Sequence, residues 1–273
     1  FYFDGLPQSC PNSYSAFNAV GILADGGNSE ISTNYIYSLG KTMPYYNYPD
    51  ATWSRGISLS NSFDVVHDNH ISSNIRDSST TPPAGYYGID TAIQIVNPNA
   101  SRFSYNTISG VYHGFQLTAS SASTIYNIFR NSITDSLSGM AFHPPSASGE
   151  VGCNTINLLG NHIDDPIRAF TIYPSLAQTF IIGGSTKSNK IIVPPRSPAN
   201  SYFFQISVAT PTEQCNTNTI SSYNWMSTIN SGNGLNAPNN FSQITNCPGT
   251  VLSNSNPQTI AWTSVQQLCQ TSP

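Results

Sequence analysis

Charge is what this sequence most lacks. Lys, Arg, Asp and Glu make up 8 % of the 273 residues, against roughly 25 % in an ordinary soluble domain. The net charge of −4 leaves no basic stripe to neutralise phosphates, which argues against nucleic-acid binding. No run of ~18 apolar residues occurs, so no membrane span is expected. Nor is there a Cys-x-x-Cys among Cys10, Cys153, Cys215, Cys247 and Cys269. A zinc ribbon or a thioredoxin-like site is thereby disfavoured, and no metal or cofactor is expected. No secretory leader is visible, although FYFDGLPQSC could begin a processed chain. Hydrophobic residues reach 38 %, enough for a substantial core in one large domain or two small ones. Solubility must then rest on Asn, Ser, Thr and Gly. That bias resembles exported surface proteins and points to an extracellular or cell-surface location.

What the chain does contain is a recurrence. Asn-x-Ile appears at Asn34/Ile36, Asn69/Ile71, Asn106/Ile108, Asn131/Ile133, Asn161/Ile163, Asn189/Ile191 and Asn218/Ile220. The steps are 35, 37, 25, 30, 28 and 29 residues, and an eighth copy, Asn154/Ile156, falls out of phase. Given 29 Asn and 26 Ile, chance supplies about three copies, so repeats must be considered before local structure. A second motif interleaves with the first: GISL at 56, AIQI at 92, GFQL at 114, AFHP at 141, AFTI at 169 and FFQI at 203. The fourth copy departs from the pattern, with Pro144 where an aliphatic belongs.

Strand periodicity explains both motifs. Residues i and i+2 share a face. Asn and Ile therefore point one way, and the middle residues (Tyr35, His70, Thr107, Ser132, His162, Lys190, Thr219) point the other. In the second motif Ile57, Ile93, Phe115, Phe142, Phe170 and Phe204 are predicted to face inward. Ser58, Gln94, Gln116, His143, Thr171 and Gln205 are predicted to face outward. One coil of chain per repeat, adding a parallel strand to every face, satisfies all of this. Asn suits the bends, because it tolerates left-handed backbone and its amide can bond an Asn one coil away. Variable spacing then belongs to loops such as SSTTPPAGYYG. A β-sandwich, the main rival, gives no reason for two motifs to return in phase.

These alternating units resemble the right-handed parallel β-helix, or pectate-lyase-like, superfamily over roughly residues 20–220. The expected fold is all-β: a single-stranded right-handed parallel β-helix of about seven coils over 21–220, right-handed by the general crossover rule. Residues 1–20 are expected to form an N-terminal cap or docking segment, and 221–273 an irregular C-terminal tail. Cys247 with Cys269 is the expected disulfide, stapling that tail.

Superfamily members that cut polysaccharides carry acids, bases or metal ligands on an outer strand face. The outer row here holds no acid, and hydrolysis by paired carboxylates needs two. Asp90 and Tyr112 precede Gln94 and Gln116 at even spacing and could join them. Asp90, Gln94, Tyr112, Gln116, His143, Thr171 and Gln205 thus form a face suited to sugar hydroxyls. Candidate catalytic groups are Asp64, Asp68 and His70 in FDVVHDNHI, His143, and Asp164 and Asp165 in NHIDDP. The motif sets of polygalacturonases and pectate lyases are absent. Two functions follow as expectations. The first is an exported structural or adhesive β-helix that assembles with copies of itself into a surface layer, fibre or appendage. The second is a carbohydrate-active enzyme (lyase or glycoside hydrolase) or a glycan-binding module.

Overall fold

The computed structural model describes residues 2–3, 20–38, 54–61, 63–73, 89–118, 124–136, 138–143, 147–158, 167–172, 179–183, 187–193, 201–206, 219–221, 225–227, 243–244, 251–253 and 269. Among them the structure is nearly all β. Three sheets hold eight strands each, and every strand pair is parallel. Successive strands visit the three sheets in turn. The architecture is therefore parallel β-helix-like, as the two interleaved motifs require. The sheets also take in Tyr2–Phe3, Trp225–Ser227, Gln243–Ile244 and Val251–Ser253, segments expected to be cap and tail.

The first sheet carries the Asn-x-Ile motif. Ile36, Ile71, Ile108, Ile133, Ile156 and Ile191 lie in register down its inner face, all fully buried. The Asn residues form a second internal column. Asn34 donates its amide N–H and its Nδ2 to Asn69 Oδ1 at 3.0 and 2.9 Å. The same pair of bonds joins Asn69 to Asn106, Asn106 to Asn131, Asn131 to Asn154 and Asn154 to Asn189. Each Nδ2 from Asn69 onward also reaches a carbonyl one tier back, as Asn131 does at Phe103 O (3.0 Å). Buried amides that satisfy one another in this way fix register as well as stability. At five ladder corners the left-handed residue is the one just before the Asn (Thr33, Asp68, Tyr105, Arg130 and Cys153), while Asn61 and Asn97 are themselves left-handed at other bends. The turn residue and the ladder residue are thus neighbours, where the sequence reading assigned both tasks to Asn.

Two copies of the motif are reassigned. Asn154/Ile156 is in phase with the ladder; the steps there are 25 and 23 residues, then 35 to Asn189. Asn161 lies outside the described residues. Thr219–Ser221 belongs to the third sheet, with Ile220 beside Ile182 and Leu252. The first sheet continues instead at Trp225–Ser227, with Met226 beside Ile191. Turn lengths vary so widely that phase cannot be read from spacing alone.

The second sheet carries the other motif. Ile57, Ile93, Phe115, Met140, Phe170 and Phe204 are in register, and so are Leu59, Ile95, Leu117, Phe142, Ile172 and Ile206. The fourth copy is therefore GMAF at 139–142, not AFHP. Phe142 takes the aliphatic position, which removes the anomaly at Pro144. Phe115, Phe142 and Phe170 are all fully buried. Phe142 stacks on Phe170 (6.4 Å, 9°) and on Tyr126 (6.0 Å), while Phe115 meets Phe103 edge-on.

A bend opens each of these strands. A Cβ added at Gly56, Gly114 or Gly139 would lie 2.9–3.0 Å from the side chain of Ile71, Ile133 or Ile156. The small residue therefore faces the core, and so does the next residue. Ala92 and Ala169, both buried, take the same place in neighbouring tiers. At Gly139 the added atom would also come within 2.4 Å of Ala169 O. Gly139→Val is expected to cost about 1–3 kcal/mol or more by overpacking, with Gly139→Ala milder, both measurable by urea unfolding.

Candidate functional site

Two consecutive inward residues shift the parity of everything before them. The outer face of the second sheet therefore has two rows. One is Ser58, Gln94, Gln116, Ala141 and Thr171. The other is Arg55, Thr91, His113, Ser138 and Arg168, the residue just before each small one. Every member of the second row is polar. The row was readable as the residue preceding the motif in RGISL, TAIQI, HGFQL, SGMAF and RAFTI, but strict alternation hid it.

The outer face is recessed. Ser58, Gln116 and Thr171 are buried, as are Thr91 and Ser138, while Arg55, His113 and Arg168 are half-buried. Within the face Ser58 Oγ donates to Gln94 Oε1 at 3.2 Å. Thr91 Oγ1 donates to Asp90 Oδ2 at 2.9 Å. Gln94 and Thr91 make long contacts of 3.5 Å with Gln116 Oε1. Four buried atoms of the new row have no hydrogen-bond partner: Arg55 Nε, His113 Nδ1, Ser138 Oγ and Arg168 Nε. Buried polar atoms are nearly always satisfied. Four such atoms fall in one register column; the others are Asp64 Oδ1, Tyr126 OH and Asn157 Oδ1, scattered over the other two sheets.

Burial also tunes the ionisable groups. Desolvation pushes Asp90 up to about 6, against the opposing effects of the Thr91 hydroxyl and the Arg55 charge. Desolvation pushes His113 down to about 3, helped by His143 and Arg168, and lowers His143 as well. His113 is therefore neutral in the fold, but its unfolded counterpart takes up a proton near pH 6.5. Between pH 6.5 and 3 the unfolded chain binds more protons, so this group removes stability as pH falls. Asp90 acts oppositely, its contribution being largest below about pH 3.9 and lost as pH rises towards 6. His113→Gln is expected to flatten the acid limb of a stability–pH curve below pH 6.5. An unchanged limb in that variant would contradict the assignment.

Of the residues expected to form the binding face, Gln94, Gln116 and Thr171 share one register row, and Gln205 continues it along the backbone. His143 sits elsewhere: it is in register with Thr118, one place past the inward Phe142, and Ala141 occupies the row. Asp90 and Tyr112 each precede the row residues Thr91 and His113; Tyr112 meets the His113 ring edge-on at 4.5 Å and also packs against the core.

The acid cluster in FDVVHDNHI does not assemble. Asp64 points into the third sheet's interior and is 1 % exposed, its amide donating to Ser101 Oγ. Asp68 is an exposed left-handed corner residue. His70 lies on the outside of the first sheet, its ring 5.7 Å from Tyr35. The corner turn at Asp68 breaks the alternation that would have grouped them. His67 instead takes both carboxylates, Asp68 at 2.7 Å and Glu30 at 3.0 Å, and these bonds raise its pKa. An imidazole titration should place His67 above 6.5, falling in Asp68→Asn. Any stability it adds is present below pH 6.5 and lost as pH rises through the raised value. Asp164 and Asp165 lie outside the described residues. No cluster of three His, Cys, Asp or Glu able to hold a metal occurs among the described residues.

The disulfide differs from the expected one. Cys269 is bonded to Cys153, Cα–Cα 5.6 Å; Cys247 lies outside the described residues. Cys153 is the left-handed residue before Asn154, so its side chain leaves the corner rather than the core. Arg130, one tier back, donates Nε and Nη2 to Cys269 O at 3.1 and 2.8 Å. Among the described residues no helix is long and apolar enough to cross a membrane. No family model, curated protein or solved structure matches the chain.

Proposed function

We propose that the protein is a glycan-recognising β-helix, either a binding module or a carbohydrate-active enzyme, with its site on the recessed outer face of the second sheet. The supporting observation is the column of unpartnered polar atoms on Arg55, His113, Ser138 and Arg168. Tiers repeat every ~4.8 Å, so the column offers a polar group at each step of an extended ligand. The neighbouring Ser58, Gln94, Gln116 and Thr171 suit sugar hydroxyls. On this reading the solenoid is right-handed and related to the pectate-lyase-like superfamily. An oxidising, extracellular or cell-surface setting fits the Cys153–Cys269 bond. A panel of acidic and neutral polysaccharides, followed for retention, reducing ends and unsaturated products, tests the reading. Retention or cleavage of at least one glycan, weakened by His113→Ala in a folded variant, is the expected result. No interaction across the panel refutes it.

A second reading, self-assembly into a layer, fibre or appendage, draws on the sheet ends. Trp225–Ser227, Gln243–Ile244 and Val251–Ser253 each pair on one side among the described strands, and unpaired edges invite association. Electron microscopy of concentrated protein decides it, since strictly monomeric particles would rule it out.

A further inference from the structure

Two Asn-x-Ser sequences occur in the chain, Asn99-Ala100-Ser101 and Asn240-Phe241-Ser242. The second lies outside the described residues. The first spans the bend that carries the chain from the second sheet to the third, between strands Thr91–Val96 and Ser101–Ser104. Two left-handed residues, Asn97 and Ala100, bound that bend. Asn97 anchors it to both neighbouring tiers: its amide donates to Thr118 O at 2.8 Å, and its Nδ2 donates to Asn61 Oδ1 at 3.0 Å. Pro98 is buried, whereas Asn99 and Ala100 are exposed.

The fold uses Asn97 and the ladder asparagines, but it does not use Asn99. The Asn99 side chain makes no hydrogen bond among the described residues. Ser101 is the reverse case. It is 1 % exposed, and its Oγ accepts the Asp64 amide N–H at 3.3 Å. The serine thus has a structural task, while the asparagine two places before it stands free in solvent. An Asn-linked oligosaccharide is bulky and solubilising, and a fold tolerates it only at such a surface position. It would also suit an exterior with 8 % charged residues, where solubility rests on neutral polar groups.

We infer that Asn99 is a modification site, the acceptor of an N-linked oligosaccharide transferred from a lipid-pyrophosphate donor. Asn99 Nδ2 forms a bond to C1 of the donor's first sugar. The bond from that C1 to the pyrophosphate oxygen breaks, the lipid pyrophosphate leaves, and Nδ2 gives up one proton. Recognition of the acceptor needs the Ser101 hydroxyl as well as the amide, and the finished fold seals that hydroxyl inside the third sheet. Attachment therefore precedes closure of the coil that holds Ser101. Afterwards the oligosaccharide stands in solvent at the corner between the second and third sheets. The inference holds whatever the second-sheet face binds. It needs passage through an oxidising secretory compartment, the setting that the Cys153–Cys269 bond fits.

Secretion of the full chain from a eukaryotic host, followed by glycopeptide mass spectrometry, tests the site. The expected result is an oligosaccharide on the peptide that carries Asn99. Asn99→Gln should remove it and still be secreted, and Ser101→Thr should keep it. A second measurement tests the order of events. A purified oligosaccharyltransferase with its lipid-linked donor should modify the reduced, carboxymethylated chain about tenfold or more faster than the folded, unglycosylated protein, because a sealed group reacts only through local opening. Secreted, disulfide-bonded protein whose Asn99 peptide is unmodified overturns the site. Retention of the glycosylated chain, with secretion restored by Asn99→Gln, overturns the outward placement. Equal rates on the folded and unfolded chains overturn attachment before folding.

Discussion

Asn131→Ala is expected to lower the unfolding free energy by about 3–5 kcal/mol, because it breaks the internal ladder at its middle. Asn131 is 1 % exposed. Its Oδ1 accepts the amide and Nδ2 of Asn106, and its Nδ2 donates to Phe103 O, Phe129 O and Asn154 Oδ1. Truncation strands these groups in a dry interior, each at about 1–3 kcal/mol if nothing replaces the bond. Partial relaxation and the entry of a water keep the total below that sum. Asn131→Asp should be worse than a loss of volume suggests, since it aims a buried carboxylate at two carbonyls. The control is Asn127→Ala. Asn127 sits between inward Tyr126 and Ile128, so it faces out, and its loss should cost under about 1 kcal/mol. Equilibrium urea unfolding compares the three. Equal effects at 127 and 131 would contradict the ladder.

Removing the Cys153–Cys269 bond should produce the other large effect. The bond closes a span of 116 residues. Chain-entropy reasoning gives about 4–5 kcal/mol for a loop of that size, and measured values for native disulfides are commonly 2–5 kcal/mol. Reduction also leaves the Cys269 carbonyl tethered only by its bonds from the Arg130 guanidinium. Cys269→Ser, or wild type under reducing conditions, should unfold about 2–5 kcal/mol earlier. Cys247→Ser should not reproduce that loss. If Cys247→Ser destabilises and Cys269→Ser does not, the pairing is wrong.

Parallel stacking was legible because its signals are redundant. Buried Ile in six consecutive first-sheet tiers and paired apolar positions in five consecutive second-sheet tiers, from Ile57/Leu59 to Phe170/Ile172, repeat regardless of loop length. Phase was not legible where turns varied. The short step of 23 residues from Asn131 to Asn154 disguised a true ladder member, while Thr219–Ser221, in the last copy of the motif, belongs to the third sheet. AFHP was preferred to GMAF because Phe142 looked like the large inward residue; Met140 fills that place with similar volume. The outer Gln row followed from simple alternation. Arg55, Thr91, His113, Ser138 and Arg168 did not, because the bend turns two successive residues inward and reverses parity before it. The FDVVHDNHI cluster failed for a related reason: a left-handed corner at Asp68 sends its members to two different sheets.

The chain has five histidines, and they make the most direct probe of the site. His113 lies in the recessed row and His143 in the adjoining tier of the same sheet, whereas His67 and His70 lie on the other two sheets. Imidazole NMR during titration with a glycan that the panel shows to be retained should move the His113 resonances saturably, and to a lesser degree those of His143, leaving His67 and His70 in place. Saturable shifts at His67 or His70 with His113 unmoved would put the ligand on a different face and contradict the site.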